Sequence, residues 1–369
     1  MASDQTNLIR QTSEQLSNAG RTYRIIAGLD GFVDEIIHVV DKREDHFIFR
    51  RIETIEGFAK RIGSYAGLSG NVELVPHQVK LGGNGPIYAN MLLQQGHKII
   101  YIGALGCGNV HPVFADFANA CEKVITITEP GHTDALEFLD GKLMLGKMNK
   151  LIDVSWDNLL KYVSVEELTE MLESSRMIAC NNWTMLGQMN SILSGMNQLF
   201  KNMTNPPDLF IDLADPAKRT AEDIAGVLDL LSGMQTRVIL SMNLNESSII
   251  SNVLGISEEH ITLRAGRIRD MLNLTAVVIH PVDGAAVVTA DGSAWVEGPF
   301  TANPKLTTGA GDNFNAGFSH GWINNLPLAG CVATGVCTSG YYVRNGHSPD
   351  KGQLLTFMKS WADAGCGNI

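Results

Sequence analysis

"TRVILSMNLNESS", residues 236 to 248, runs from an apolar β-type stretch straight into a helix start. "TRVILSM" (236 to 242) has the near-continuous apolar character of a strand covered on both faces. Asn243, with Glu246 three residues later, has the spacing that opens a helix with a capping box. The same order of strand and helix recurs on either side of this stretch. "YRIIAGL" (23 to 29), "KIIYIGAL" (98 to 105), "RMIAC" (176 to 180), "DLFIDL" (208 to 213) and "TAVVIH" (275 to 280) are further apolar runs separated by helix-like segments. The pattern predicts an α/β chain: a three-layer α/β/α, doubly wound, mostly parallel sheet. Two stretches break the alternation, 35 to 55 and 134 to 148, which read as extended with no crossover helix beside them. A small β-sheet lid projecting from the core is one use for them; the alternative is a pair of edge strands of the main sheet. Asp140-Gly141, between "ALEFL" and "KLML", is a hairpin signal.

The chain has 369 residues, 44% of them hydrophobic and 18% charged, enough to bury a large core. The formal net charge of −11, with no clustered Lys and Arg, argues against a nucleic-acid surface. No stretch has the roughly 18 unbroken apolar residues of a membrane-spanning helix. The polar N-terminus also lacks a signal-peptide core, so a cytoplasmic protein is expected, with no membrane partner. The six cysteines are scattered without CxxC spacing, as reduced thiols rather than a disulfide frame or zinc site.

Four stretches carry candidate chemistry. In "LTTGAGDNFNAGF" (306 to 318), Gly309, Ala310 and Gly311 precede a helical run, so a helix N-terminus with small side chains is expected there. Its unpartnered N–H groups and dipole form an anion hole suited to a phosphoryl group in transit. Asp312 faces the same spot, either as a helix cap or as the base that accepts a hydroxyl proton. Asn243 and Glu246 follow a strand, where ligands of open α/β sheets bind; they suit the water shell of Mg²⁺, or form only a cap. In "KLGGNGPIYANML" (80 to 92) the double glycine lets backbone approach a polar ligand, and Asn84 and Asn90 can hydrogen-bond hydroxyls. In "AGLDGFVDE" (27 to 35), Asp30 and Asp34 could accept hydrogen bonds from a polyol, with turn chemistry as the competing explanation.

Taken in order, these stretches resemble the PfkB carbohydrate kinase family, with its ribokinase-like fold, over about residues 22 to 365. "TTGAGDNFNAGF" keeps the whole GAGD element and its continuation. The resemblance implies one ribokinase-like domain over 22 to 365, a β lid from about 35 to 55 and 134 to 148, and a helical extension over 1 to 21. It implies a kinase that moves the γ-phosphoryl group of ATP to a hydroxyl of a sugar or sugar-like molecule, with Mg²⁺. A nucleoside kinase, or a non-catalytic sugar-binding regulatory homologue, is the alternative. By position, Asp312 is then the base and Gly309, Ala310 and Gly311 the anion hole. Gly82, Gly83, Asn84, Asn90, Asp30 and Asp34 meet the substrate. Asn243 and Glu246 match an N-x-x-E motif that organises Mg²⁺ through water, and Asp283, Gly284, Thr308, Asn345 and Gly346 lie on the nucleotide side. A homodimer through the lid is a further implication. Two departures stand out: Leu306 replaces the aspartate that a monovalent-cation (K⁺) site would use, and His280 and Pro281 replace small residues beside the nucleotide. A dinucleotide-binding oxidoreductase is argued against because "GALGCG" (103 to 108) lacks the G-x-G-x-x-G order.

Overall fold

Successive residues of a strand point to opposite faces, so a strand that is apolar throughout needs a core layer on both sides. In the computed structural model, which describes residues 2–367, this requirement shapes the whole architecture. The strands, in chain order, are β1 (Arg24–Leu29), β2 (Phe32–Arg43), β3 (Phe49–Arg51), β4 (Leu74–Gly82), β5 (Lys98–Gly103), β6 (Lys123–Thr126) and β7 (Gly131–Phe138). They continue with β8 (Gly141–Lys147), β9 (Met177–Asn181), β10 (Asp208–Asp212), β11 (Val238–Met242), β12 (Ala276–Ile279), β13 (Gly284–Thr289) and β14 (Gly292–Glu297).

Nine of them form one sheet in the order β14-β13-β12-β11-β10-β9-β1-β5-β6. All neighbours from β12 to β6 pair in parallel, and β13 and β14 close the edge as antiparallel strands. Along β10, Leu209 and Ile211 enter one core layer and Phe210 the other; in β11, Leu240 and Ile239 divide in the same way. The first layer is filled from helices Met189–Phe200, Ala221–Ser232 and Ile261–Leu272 through Ile192, Leu228 and Ile268. The second is filled from helices Asn84–Gln94, Ala310–Ile323 and Leu328–Asn345 through Tyr88, Phe318 and Val332. Helix Ala2–Asn18 joins this second layer, burying Ile9 and Leu16.

The winding reverses at β1, which pairs with β5 on one side and β9 on the other. From β1 the chain moves out to β5 and β6, then returns to build β9 to β12 in the opposite direction. Such a reversal leaves a crevice at the carboxyl ends of the strands. Asp30, Asn182 and Asp212 stand at those ends of β1, β9 and β10.

The five remaining strands make a second, smaller sheet, β3-β2-β7-β8 with β4 also on β2. One of its faces is closed by helix Ile55–Gly63, whose Phe58 packs with Ile37, Val39, Leu136 and Phe138. β4 is the member with the least legible pattern, since most of its side chains are partly or fully exposed. The hairpin between β7 and β8 turns one residue earlier than its Asp-Gly signal: Phe138 pairs with Gly141, so Leu139 and Asp140 occupy the turn. Asp140 is drawn there because its carboxylate accepts the Ile55 N–H, 2.9 Å away, at the start of helix Ile55–Gly63. All six cysteines are free thiols. Among the described residues no helix is long and apolar enough to cross a membrane.

Candidate active site

Asp30 leaves β1 at the crevice, fully buried, and its carboxylate accepts three hydrogen bonds. The donors are the backbone N–H groups of Asn84 (3.0 Å) and Gly85 (2.8 Å) and the side-chain amide of Asn182 (2.7 Å). The first two belong to the start of helix Asn84–Gln94, whose cap residue Gly83 has no side chain to offer. Asp30 therefore closes that helix end from a distant part of the chain. Burial raises its pKa to about 6, against the lowering effect of these donors.

This seat explains the glycines that precede the helix. A Cβ on Gly82 would lie 2.3 Å from an oxygen of the Asp34 carboxylate, and one on Gly83 would lie 3.2 Å from Asp30 Oδ2. Gly83 has φ +102, a conformation that glycine adopts at little cost. The double glycine thus makes room for two aspartates. Asp34, on β2, is buried, and burial raises its pKa against a hydrogen bond from Thr133 and the charge of Lys80.

Asn84 carries this group to the fourth stretch: its side-chain amide donates to Asp312, 2.9 Å away. Asp312 sits in the first turn of helix Ala310–Ile323, and the cap residue Gly309 makes no side-chain capping bond. Gly309 has φ +89, and a Cβ there would lie 2.8 Å from the Tyr342 hydroxyl. Gly311 is different. A Cβ on Gly311 would meet only His280 Cε1, at an ordinary 3.6 Å. Nothing in the protein itself demands glycine at that position.

Three carboxyl groups converge behind this turn. Asp212, at the end of β10, accepts from Asn315 Nδ2 (2.6 Å) and the Ala214 N–H (2.7 Å). Glu246 forms the full capping box with Asn243, and Asn243 Nδ2 also donates to Glu246 Oε1 at 2.7 Å. Burial, then the charges of Asp212, Asp215 and Asp312, push the Glu246 carboxyl up to about 9. Asp312 is likewise raised well above the carboxylate range, by burial first and then by Asp212 and Asp30. Groups that raise one another's pKa across a buried space are relieved by a cation among them.

On the other side of helix Ala310–Ile323 lies a cleft of about 350 Å³. Asn243, His280, Gly284, Phe300, Gly311 and Ser339 are among its lining residues. Asp283 is exposed on the turn before β13. The Thr308 carbonyl accepts from Tyr342. Asn345 and Gly346 end helix Leu328–Asn345, Gly346 as its left-handed cap at φ +78. Asn90 lies six residues beyond Asn84, about 9 Å along the helix, and is not brought to the aspartates. Asn182, in the left-handed region at φ +65, and Asp212 join the site without having been singled out in the sequence. Asp212 had a usable signal, as the carboxylate that ends the apolar strand "DLFID". Beside Asn182, both amide atoms of buried Asn181 lack a partner among the described residues.

A family model described as prokaryotic ketohexokinase matches residues 2–361. A curated ketohexokinase from Haloferax volcanii is 26% identical over 346 residues, covering 92% of this chain and 92% of the relative. Among solved structures, a ribokinase from Arabidopsis thaliana in complex with ribose and ATP superposes with a TM-score of 0.65. It is 15% identical and covers 92% of this chain and 99% of that one. An adenosine kinase from Trypanosoma brucei brucei has a TM-score of 0.64 and 17% identity, covering 88% of this chain and 100% of that one. These two likenesses are of fold.

Proposed function

The chain belongs to the prokaryotic ketohexokinase family, a branch of the ribokinase-like carbohydrate kinases, and from that premise we propose that it transfers the γ-phosphoryl group of ATP to a hydroxyl of a ketohexose. Asp312 is the general base, and the N–H groups at the start of helix Ala310–Ile323 receive the transferred group. The observation that carries this reading is the contrast within one turn. Gly309 is required by its own backbone and by Tyr342, whereas Gly311 and the Asp312 carboxylate are left over from any need of the fold.

In the reaction the acceptor oxygen forms a bond to the γ-phosphorus while the bond to the β-bridging oxygen breaks, and ADP leaves. The acceptor proton passes to Asp312, whose raised pKa suits a base that must hold a proton as the oxygen attacks. Asn84 orients that carboxylate through its amide. The charge that develops on the transferred group meets unpartnered N–H groups and the positive end of the helix dipole. Asp30 and Asp34, with Asn182, are the acceptors for sugar hydroxyls, and the nucleotide occupies the cleft lined by His280, Gly284 and Phe300.

The donor set of Asp212, Glu246 and Asn243 fits a hard cation with oxygen ligands, because burial raises both carboxyl groups, the Asp212 charge raises Glu246 further, and the hydrogen-bond donors they meet are amide and backbone N–H groups. When bound, Mg²⁺ would neutralise charge on the phosphate oxygens.

The test is ADP release in the presence of MgATP and a panel of ketohexoses, aldoses and nucleosides. Release that depends on a ketohexose, and is lost in Asp312→Asn, is expected. Turnover with nucleosides alone would overturn the acceptor assignment, and no acceptor-dependent release in any arm would overturn the kinase reading of this site.

A further inference from the structure

A second group of metal-ligating side chains lies outside the crevice, on the small sheet. His38 is on β2, Glu137 follows the paired residue Leu136 on β7, and His77 sits on β4. The pairing of β2 with β4 jumps from Ile36–Gln78 to Ile37–Pro76, so His77 is the extra residue of a β-bulge. Bulges re-aim a side chain. Here the bulge brings His77 over His38, with ring centroids 4.2 Å apart and planes inclined by 28°.

One oxygen serves both rings: Glu137 Oε2 is 3.3 Å from His77 Nε2 and 3.5 Å from His38 Nε2. The other oxygen, Oε1, is held by Lys142 at 2.9 Å. All three ligand atoms lie within 4.8 Å of one another. Separations of 3.3 and 3.5 Å are long for hydrogen bonds, which centre on about 2.7–3.2 Å. They match the edge of a tetrahedron whose centre is about 2.0–2.2 Å from each corner, the bond length of Zn²⁺ to imidazole and carboxylate. His38 Nε2 offers the lone pair that a metal would take. Arg51 Nη1 now stands 3.0 Å from that lone pair, a cation where a metal would bind.

We propose that His38, His77 and Glu137 form a transition-metal site that takes Zn²⁺ or Co²⁺, with Arg51 displaced on binding and the fourth position left to water. The ligands are partly exposed, with side-chain exposures of 24%, 37% and 28%, so the ion has an entry path. Each ligand comes from a different strand, and β2 also carries Asp34 on the same face, two alternations along, about 13 Å away. The metal would therefore staple the sheet that brings Asp34 and Gly82 to the crevice. Such a site is independent of the phosphoryl-transfer reading.

The experiment is a titration of the full, nucleotide-free chain with Co²⁺ in a non-chelating buffer. A visible ligand-field band should saturate at one equivalent, bleach when Zn²⁺ is added, and vanish in His77→Ala. Metal should also raise the melting temperature of the wild type and leave that of His77→Ala unmoved. His38→Gln is a second variant, in case the first alters the bulge. A wild type with no band at one equivalent, or variants that retain it with matching far-UV circular dichroism, overturns the proposal.

Discussion

Replacing Gly311 by alanine adds one methyl group where the protein has room for it, and the consequence separates folding from function. The new Cβ would lie 3.6 Å from His280 Cε1, an ordinary contact, and no positive φ opposes it. Alanine is favoured over glycine inside a helix by about 0.5–1 kcal/mol. Near the helix start the gain is smaller, so the melting temperature should stay level or rise by up to about 2 °C. The same methyl group projects into the cleft beside the helix N-terminus. Blocking one donor of an anion-stabilising site costs about 10²–10³ in turnover. Gly309→Ala is the control. Its φ of +89 costs a residue with a side chain about 1–2 kcal/mol, and its Cβ would lie 2.8 Å from the Tyr342 hydroxyl. Moving Tyr342 off the Thr308 carbonyl adds about 1 kcal/mol. That variant should melt about 3–4 °C lower. Thermal unfolding and acceptor-dependent ADP release, measured on both, test the reasoning. A Gly311→Ala protein that melts several degrees lower, or keeps more than half of its turnover, would refute the claim that this glycine serves a ligand.

Three further outcomes follow from the carboxyl groups. Asp312→Asn should lower turnover about 10²–10⁴-fold. It should leave KM for the acceptor far less changed, and its melting point at pH 7.5 should be no lower than that of the wild type. The sign follows from the raised folded pKa: the ionised form is disfavoured by the fold, so the wild type loses stability as pH rises above 3.8, and the amide does not. Glu246→Gln should behave alike between pH 4.5 and about 9, the range over which the fold moves this carboxyl. Without nucleotide or Mg²⁺, the variant's advantage in melting temperature should grow between those pH values, and the Mg²⁺ dependence of turnover should shift; equal pH profiles would contradict the buried-carboxyl reading. Asp30→Asn removes one acceptor oxygen where three donors converge, a loss that outweighs the relief of burying a carboxylate whose pKa rises only to about 6, so urea unfolding at pH 7 should show a net loss of about 1–2 kcal/mol; a gain in stability would mean that Asp30 does not hold helix Asn84–Gln94.

The main sheet was readable because its strands are buried on both faces. "RMIAC", "DLFIDL" and "TRVILSM" each form a parallel strand, and the helices between them fill both layers. The small sheet was harder. β2 could be read as extended from its apolar run, but β4, "LVPHQVKLG", shows neither alternation nor an apolar run, since only Gly82 in it is buried. It is in the sheet because β2 offers a paired edge and because the bulge at His77 absorbs a register change, and neither leaves a mark at the level of periodicity. The Asp140-Gly141 signal marked the right loop and the wrong pair, because Asp140 was recruited by a helix start 85 positions away in sequence.

At the site, residue types were legible and their duties were not. Asp30 and Asp312 each neighbour a glycine, and composition and spacing alone do not rank them; in the sequence only the family resemblance does. The structure does so by counting donors. Asp30 takes three N–H bonds, two from a helix start, and its pKa rises only to about 6 in spite of complete burial. Asp312 has the single amide of Asn84, faces the charges of Asp212 and Asp30, and rises well above the carboxylate range. A carboxylate saturated with donors is a poor base, since every donor must be given up in part when a proton arrives. A carboxylate with one donor and two acidic neighbours gains on protonation. The same burial thus makes Asp30 a piece of structure at the crevice, and makes Asp312 the carboxylate to which proton transfer costs least.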